Sequence, residues 1–172
     1  DKIKLNNEIK ILNPNSYYKI SENIKIEFIH ITHSIPQTTL VAIHTKYGII
    51  LYANDFKLDL YPILGKEPNF KRLEEIGKEG VIALVVESTY ASDARKMPSE
   101  SVAKEMLRDV LLGTDNKNNI IIVTTFSSHL ARLKSIMEFG QRLGREVIFL
   151  GRSLGKYVGA ARNIGGYSFL NR

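Results

Sequence analysis

The chain has 172 residues, 44% hydrophobic and 24% charged, a balance that suits a folded globular protein rather than a disordered one. It contains no cysteine, so disulfide frameworks and thiolate metal sites are excluded. Lysine and arginine number 24 against 18 aspartates and glutamates, and the net charge of +6 favours polyanionic partners without specifying one. No apolar run approaches the roughly 18 residues that span a bilayer. Asp1 to Leu5 lack a signal-peptide pattern, so a cytoplasmic location without membrane attachment is expected. The chain begins with Asp rather than Met and reads as a piece of something longer.

Up to about residue 80, apolar runs alternate with turns. Ile9–Leu12, Ile24–Ile31, Leu40–Thr45 and Gly48–Ala53 read as antiparallel strands, with Tyr47-Gly48 as a hairpin connection. A short helix is expected after Pro68, through Phe70, Leu73 and Ile76, stopping at Gly77. From residue 81 the rhythm becomes strand, loop, helix, three times over. Val81–Val86 is a continuous apolar run, as in a strand buried on both faces. Pro98-Ser99-Glu100 opens a helix carrying Val102, Met106, Leu107 and Val110, with Ser99 as its N-cap. A second strand is expected at Asn119–Thr125, followed by a helix with Leu130, Leu133, Ile136 and Met137 that ends near Gly144. The third strand is Glu146–Leu150 and its helix runs from about Leu154 to Asn163. Strands alternating with helices predict an α/β fold with a parallel sheet in this half.

Ligands of open parallel sheets bind outside the carboxyl ends of the strands. Those ends carry Glu87-Ser88-Thr89-Tyr90, then Phe126-Ser127-Ser128-His129, then Gly151-Arg152-Ser153. Ser127, Ser128 and Ser153 lie where helices begin, which suits either a phosphate or simple capping. His129 opens its helix, and Arg152 offers a fork for phosphate or stands as a surface residue. Glu87 follows six apolar residues; its carboxylate serves a site or satisfies nearby backbone donors. Upstream, His33 and Asp55 each follow a strand-like run, and an imidazole with a carboxylate at neighbouring strand ends makes half of a zinc site. The competing reading gives each an ordinary structural or turn role. His30 and His44 fall inside strand patterns and are read as structural.

The segments Ile31–Pro36, His44–Gly48, Asn54–Asp59, Glu87–Thr89, Pro98–Glu100, Thr124–Arg132 and Leu150–Ser153 run in an order that resembles the β-CASP branch of the metallo-β-lactamase superfamily, and within it the archaeal RNase J nucleases. The His33-to-Asp55 interval is similar too. The resemblance implies part of a metallo-β-lactamase αββα sandwich over residues 1–80 and the first part of a Rossmann-like, parallel-sheet β-CASP domain over 81–172. It also implies two-metal hydrolysis of RNA phosphodiester bonds, endonucleolytic or from the 5′ end, in RNA processing or decay. His33 then resembles a zinc ligand, Asp55 the aspartate bridging two Zn2+ ions, and Glu87 the first β-CASP acidic motif beside them. Ser127, Ser128, His129, Arg152 and Ser153 fall where the β-CASP domain faces RNA.

Two departures qualify the resemblance. The family's His-x-His-x-Asp-His motif and its later β-CASP histidines have no counterpart in these 172 residues, and Gln37 stands where relatives carry Asp after Ile35-Pro36. The expectation is therefore a split or partial zinc-dependent ribonuclease, inactive alone. It would be completed by further N- and C-terminal segments, a complementing chain or a homo-oligomer. The alternative is a non-catalytic RNA-binding module on the same fold.

Overall fold

The structure, a computed structural model, describes residues 8–165 and 167–170; the signal-peptide reading of Asp1 to Leu5 falls outside them. The described chain forms two compact units. The sheet unit runs to Ile31 and includes Thr39–Phe56 and Asn69–Thr89. The helical unit holds Thr32–Thr38, Lys57–Pro68 and the chain from Tyr90 onward.

In the sheet unit, five strands lie in sequence order: β1 (Tyr17–Lys19), β2 (Lys25–His30), β3 (Thr39–Thr45), β4 (Gly48–Ala53) and β5 (Val81–Val86). β1 to β4 pair antiparallel, and β5 lies parallel to β4 with Ala53 opposite Val86. Alternation along β2 to β4 sends Ile29, Leu40, Ala42 and Ile49 into one core, completed by Ile31, Ala53 and Ile76. Ile76 belongs to α1 (Phe70–Glu79), which is capped by Asn69 and ends at Gly80 with φ 107°. The helix thus passes through Gly77 and stops three residues later than expected. Arg72 on α1 grips Glu27 on β2 through Nε at 2.6 Å and Nη2 at 3.0 Å, and His44 Nε2 lies 2.8 Å from the same carboxylate. The Arg72 guanidinium, ahead of burial in the opposite sense, holds the Glu27 carboxyl below the usual range. His44 is structural, as read.

Two strand expectations change here. Ile9–Leu12 forms no strand: Ile9 and Ile11 are exposed, and Tyr17–Lys19 takes the edge instead. β5, expected to be buried on both faces and to open the second half, is exposed along its length and completes the first sheet. A run of valine and leucine specifies a strand but not the sheet it joins.

The helical unit contains α2 (Glu100–Gly113), α3 (Leu130–Arg142), α4 (Arg152–Ile164) and a short 3₁₀ turn at Ser168–Leu170. Ser99 caps α2, accepting from the Ser101 N–H at 3.2 Å. α2 buries Leu111 and packs Leu107 inward, whereas Val102, Met106 and Val110 are exposed. α3 buries the Leu130, Leu133, Ile136 and Met137 stripe that its periodicity predicts. Asn119–Thr125 and Glu146–Leu150 carry no strand pairing. Val147 and Phe149 nonetheless pack on the helices while Ile148 and Leu150 face outward, the period of a strand with one face covered. A ladder needs a second strand to accept its N–H groups, and none lies alongside among the described residues.

Gly48 shows how tightly the β3–β4 hairpin is set. Its φ of 132° disfavours any side chain, and an added Cβ would lie 2.6 Å from Ile82 Cγ2 on β5. Gly48→Ala is expected to cost about 2–4 kcal/mol, strain and overpacking together, read as a lower urea midpoint with unchanged slope.

Candidate active-site edge and buried charge network

β2, β4 and β5 run in the same direction, so their carboxyl ends share one edge of the sheet. Asp55 leaves β4 two residues beyond Ala53, and Glu87 leaves β5 one residue beyond Val86, its register partner. The parallel pairing therefore brings the two carboxylates to one edge. Asp55 is exposed, and Glu87 is half-buried and accepts the Thr89 N–H through Oε2 at 2.6 Å. Both of its proposed uses remain compatible with that contact.

His33 belongs to the helical unit. It is exposed, and its Nδ1 lies 3.2 Å from Ser34 Oγ. Among the described residues, no group of three or more His, Asp or Glu side chains converges in a way that could hold a metal ion. The donors among the described residues do not by themselves fit a two-zinc centre.

Ser127 and Ser128 form the turn before α3 and are half-buried. Neither caps the helix. His129 does, with Nδ1 accepting the Arg132 N–H at 3.4 Å. That assignment puts the ring proton on Nε2, which faces Glu100 Oε2 at 3.4 Å. Arg152 and Ser153 are exposed in the first turn of α4, whose cap position is Gly151 with φ 117° and no side-chain cap bond. The α4 start thus keeps Arg152 and Ser153 exposed, the turn is half-buried, and His129 is engaged within the fold.

What sequence reasoning missed is the charge network behind that turn. Glu100 is 5% exposed and Asp59 3%. Arg132 donates to both Glu100 oxygens, Nε at 3.1 Å and Nη2 at 3.0 Å. Lys57 Nζ lies 3.6 Å from Asp59 and 3.9 Å from Glu100. Asp59 accepts the Glu100 N–H at 2.8 Å and the Tyr61 N–H at 3.0 Å. Burial would raise the Asp59 carboxyl, but the Ser99 hydroxyl, these two backbone donors and Lys57 outweigh it and hold it low. Burial also lowers His129; Glu100 works against that shift, while Arg132 and Lys57 reinforce it. Lys57, Asp59, Glu100 and His129 border a cavity of about 20 Å³ together with His33. That is room for one water and too little for a nucleotide.

Comparison with known proteins now bears on the class. Residues 118–171 match the family model described as Ribonuclease J, beta-CASP domain. With the mixed sheet and flanking helices, this makes the chain an RNase J-like α/β polypeptide of the β-CASP class. Among curated relatives, Ribonuclease J of Pyrococcus abyssi is 48% identical over 86% of this chain and 33% of its own length. Ribonuclease J of Methanocaldococcus jannaschii is 42% identical over 95% of this chain and 37% of its own. The chain spans about a third of the length of these relatives. A crystal structure of a protein of unknown function from Enterococcus faecalis V583 shares the fold at TM-score 0.56 and 21% identity, over 78% of this chain and 32% of that one. No helix among the described residues is long and apolar enough to cross a membrane.

Two outcomes follow from the network. Arg132→Ala strands a buried carboxylate and is expected to cost about 2–4 kcal/mol in chemical denaturation. Acid should act on the same unit. Unfolded His129 binds a proton near the model value of 6.5 and the folded residue below it. The unfolded state therefore takes up more protons, and stability falls as pH drops below about 6.5. Asp59, also depressed, adds a further loss below about pH 4. His129→Asn keeps a capping side chain and should flatten the first loss, seen in urea midpoints at pH 8 and 5.5.

Proposed function

We propose that this chain is part of a zinc-dependent ribonuclease that hydrolyses RNA phosphodiester bonds in the cytoplasm, in RNA processing or decay. The observation that carries the reading is the β4–β5 pairing, which sets Asp55 and Glu87 at one sheet edge in a chain similar to proteins named Ribonuclease J. On this reading Asp55 and His33 are metal ligands and Glu87 stands beside the metals. Zinc would supply Lewis acidity at the phosphate and an activated water. The remaining donors come from further polypeptide, because no three of the described side chains converge on an ion. No catalytic step is assigned to the 172 residues alone.

RNA is the partner the charge favours, at +6 overall. Ser127, Ser128, Arg152 and Ser153 offer hydroxyl, guanidinium and backbone donors at the starts of α3 and α4, the groups that bind phosphate oxygens. Arg152→Ala is expected to weaken binding of a single-stranded oligoribonucleotide and to lower the salt slope of log K by about one.

The deciding experiment is zinc content by elemental analysis after gel filtration, paired with RNA cleavage. The purified chain should hold substoichiometric zinc and leave RNA intact. Addition of a polypeptide carrying a His-x-His-x-Asp-His motif from a Ribonuclease J should restore both, and Asp55→Ala should then remove more than about 10²-fold of the activity. Cleavage by the isolated chain, undiminished in Asp55→Ala, would overturn the assignment.

A further inference from the structure

The helical unit contains a closed circuit of hydrogen bonds that begins and ends on either side of His33. Thr32 Oγ1 donates to the Lys57 carbonyl and accepts the Asp59 N–H at 3.1 Å. The Lys57 N–H returns to the Thr32 carbonyl at 2.7 Å. Asp59 passes the chain of contacts to the Glu100 N–H, and the Glu100 carboxylate holds the Arg132 fork. The Arg132 N–H reaches His129 Nδ1. Finally the Leu130 N–H is shared between the carbonyls of Ser128 at 3.0 Å and Ser34 at 3.1 Å. Thr32 and Ser34 flank His33; Ser128 and His129 belong to the turn before α3.

We infer that Glu100 is a positioning residue, whose carboxylate closes this circuit and fixes the His33 segment and the Ser127–His129 turn in one rigid arrangement. The functional meaning rests on the reading above, in which His33 serves the metals and the turn serves RNA phosphate. Stability alone does not call for a carboxylate here. Apolar groups of equal volume in place of the whole Glu100–Arg132 pair would fill such a site as well or better, because buried ions lose their hydration. What the carboxylate adds is geometry, since two parallel N–H···O contacts from a planar guanidinium fix both distance and orientation. Glu100 also begins α2, where the helix N-terminus favours its charge. The same residue thus ties α2, α3 and, through Asp59, the segment bonded to Thr32. Removing it opens the circuit at its only carboxylate-to-guanidinium link.

The test uses the full chain at fixed pH, with backbone amide chemical shifts and ¹⁵N relaxation as the readout. Glu100→Gln is expected to shift and loosen residues 32–34 and 127–130 together, while amides of β2 to β4 stay unchanged. Leu133→Val, a core change in α3 outside the circuit, is the control for stability loss and should leave both segments in place. If Glu100→Gln fails to fold, Arg132→Lys carries the same expectation, since it keeps the charge and loses the fork. Movement of 127–130 with 32–34 unaffected would overturn the inference, as would equal movement in the Leu133→Val control. Oligoribonucleotide binding by the wild-type chain, measured alongside, separates the two levels. Failure to bind removes the RNA role of the turn and leaves the coupled amide response to decide the circuit.

Discussion

Parallel pairing of β5 with β4 is the constraint on which the sheet unit depends. β1 to β4 are antiparallel neighbours, joined in sequence order by turns. A parallel neighbour demands that the chain return to the starting edge before the next strand begins, and a helix is the usual way back. α1 occupies that return, and its apolar side delivers Leu73 and Ile76 to the core that β2 to β4 already define. An antiparallel β5 would have placed Glu87 at the far edge from Asp55. The orientation of one pairing therefore decides whether the two carboxylates can serve one centre.

The helical unit is organised on a different principle. Its hydrophobic cluster joins α3, α4 and the 3₁₀ turn through Leu130, Leu133, Val158 and Leu170, but α2 reaches α3 partly through charge. Two anions, Asp59 and Glu100, meet two cations, Lys57 and Arg132. The set is neutral only while His129 is uncharged, which agrees with the downward displacement of that ring by burial and by the two cations. Neutrality makes the burial of two carboxylates tolerable. It also makes the unit sensitive to any single removal, because each partner left behind is a desolvated charge.

The parts of the fold legible in the sequence are those set by local periodicity. The α3 stripe, the Ser99 cap and the β3–β4 hairpin all follow from residues within a few positions of one another. Even Glu146–Leu150 keeps its alternation, although its ladder bonds are not made among the described residues. What failed was assignment between elements. The apolar run of β5 announced a strand, but its neighbour is β4, some thirty residues earlier, and composition carries no such address. The Glu100–Arg132 pair was hidden for the same reason: the partners are 32 positions apart. Each residue fell inside a motif that resembled the family, yet nothing local joined one to the other. The strand-end positions of Asp55 and Glu87, by contrast, were legible because strand ends are readable before their pairing is known.

The stretch from Asp55 to Asp59 shows how position, rather than residue type, divides these roles. Phe56 packs into the core of the sheet unit, whereas Lys57 and Asp59 belong to the helical unit. The two aspartates flank that change and meet opposite fates. Asp59 is buried, accepts two backbone N–H groups and lies near an ammonium, so its lone pairs are committed to the fold. Asp55 is exposed at the edge shared with Glu87 and keeps its oxygens accessible. An accessible carboxylate suits an ion, a water or a developing charge; a saturated one suits the geometry around it. One short segment supplies both kinds because the backbone leaves one unit and enters the other between them.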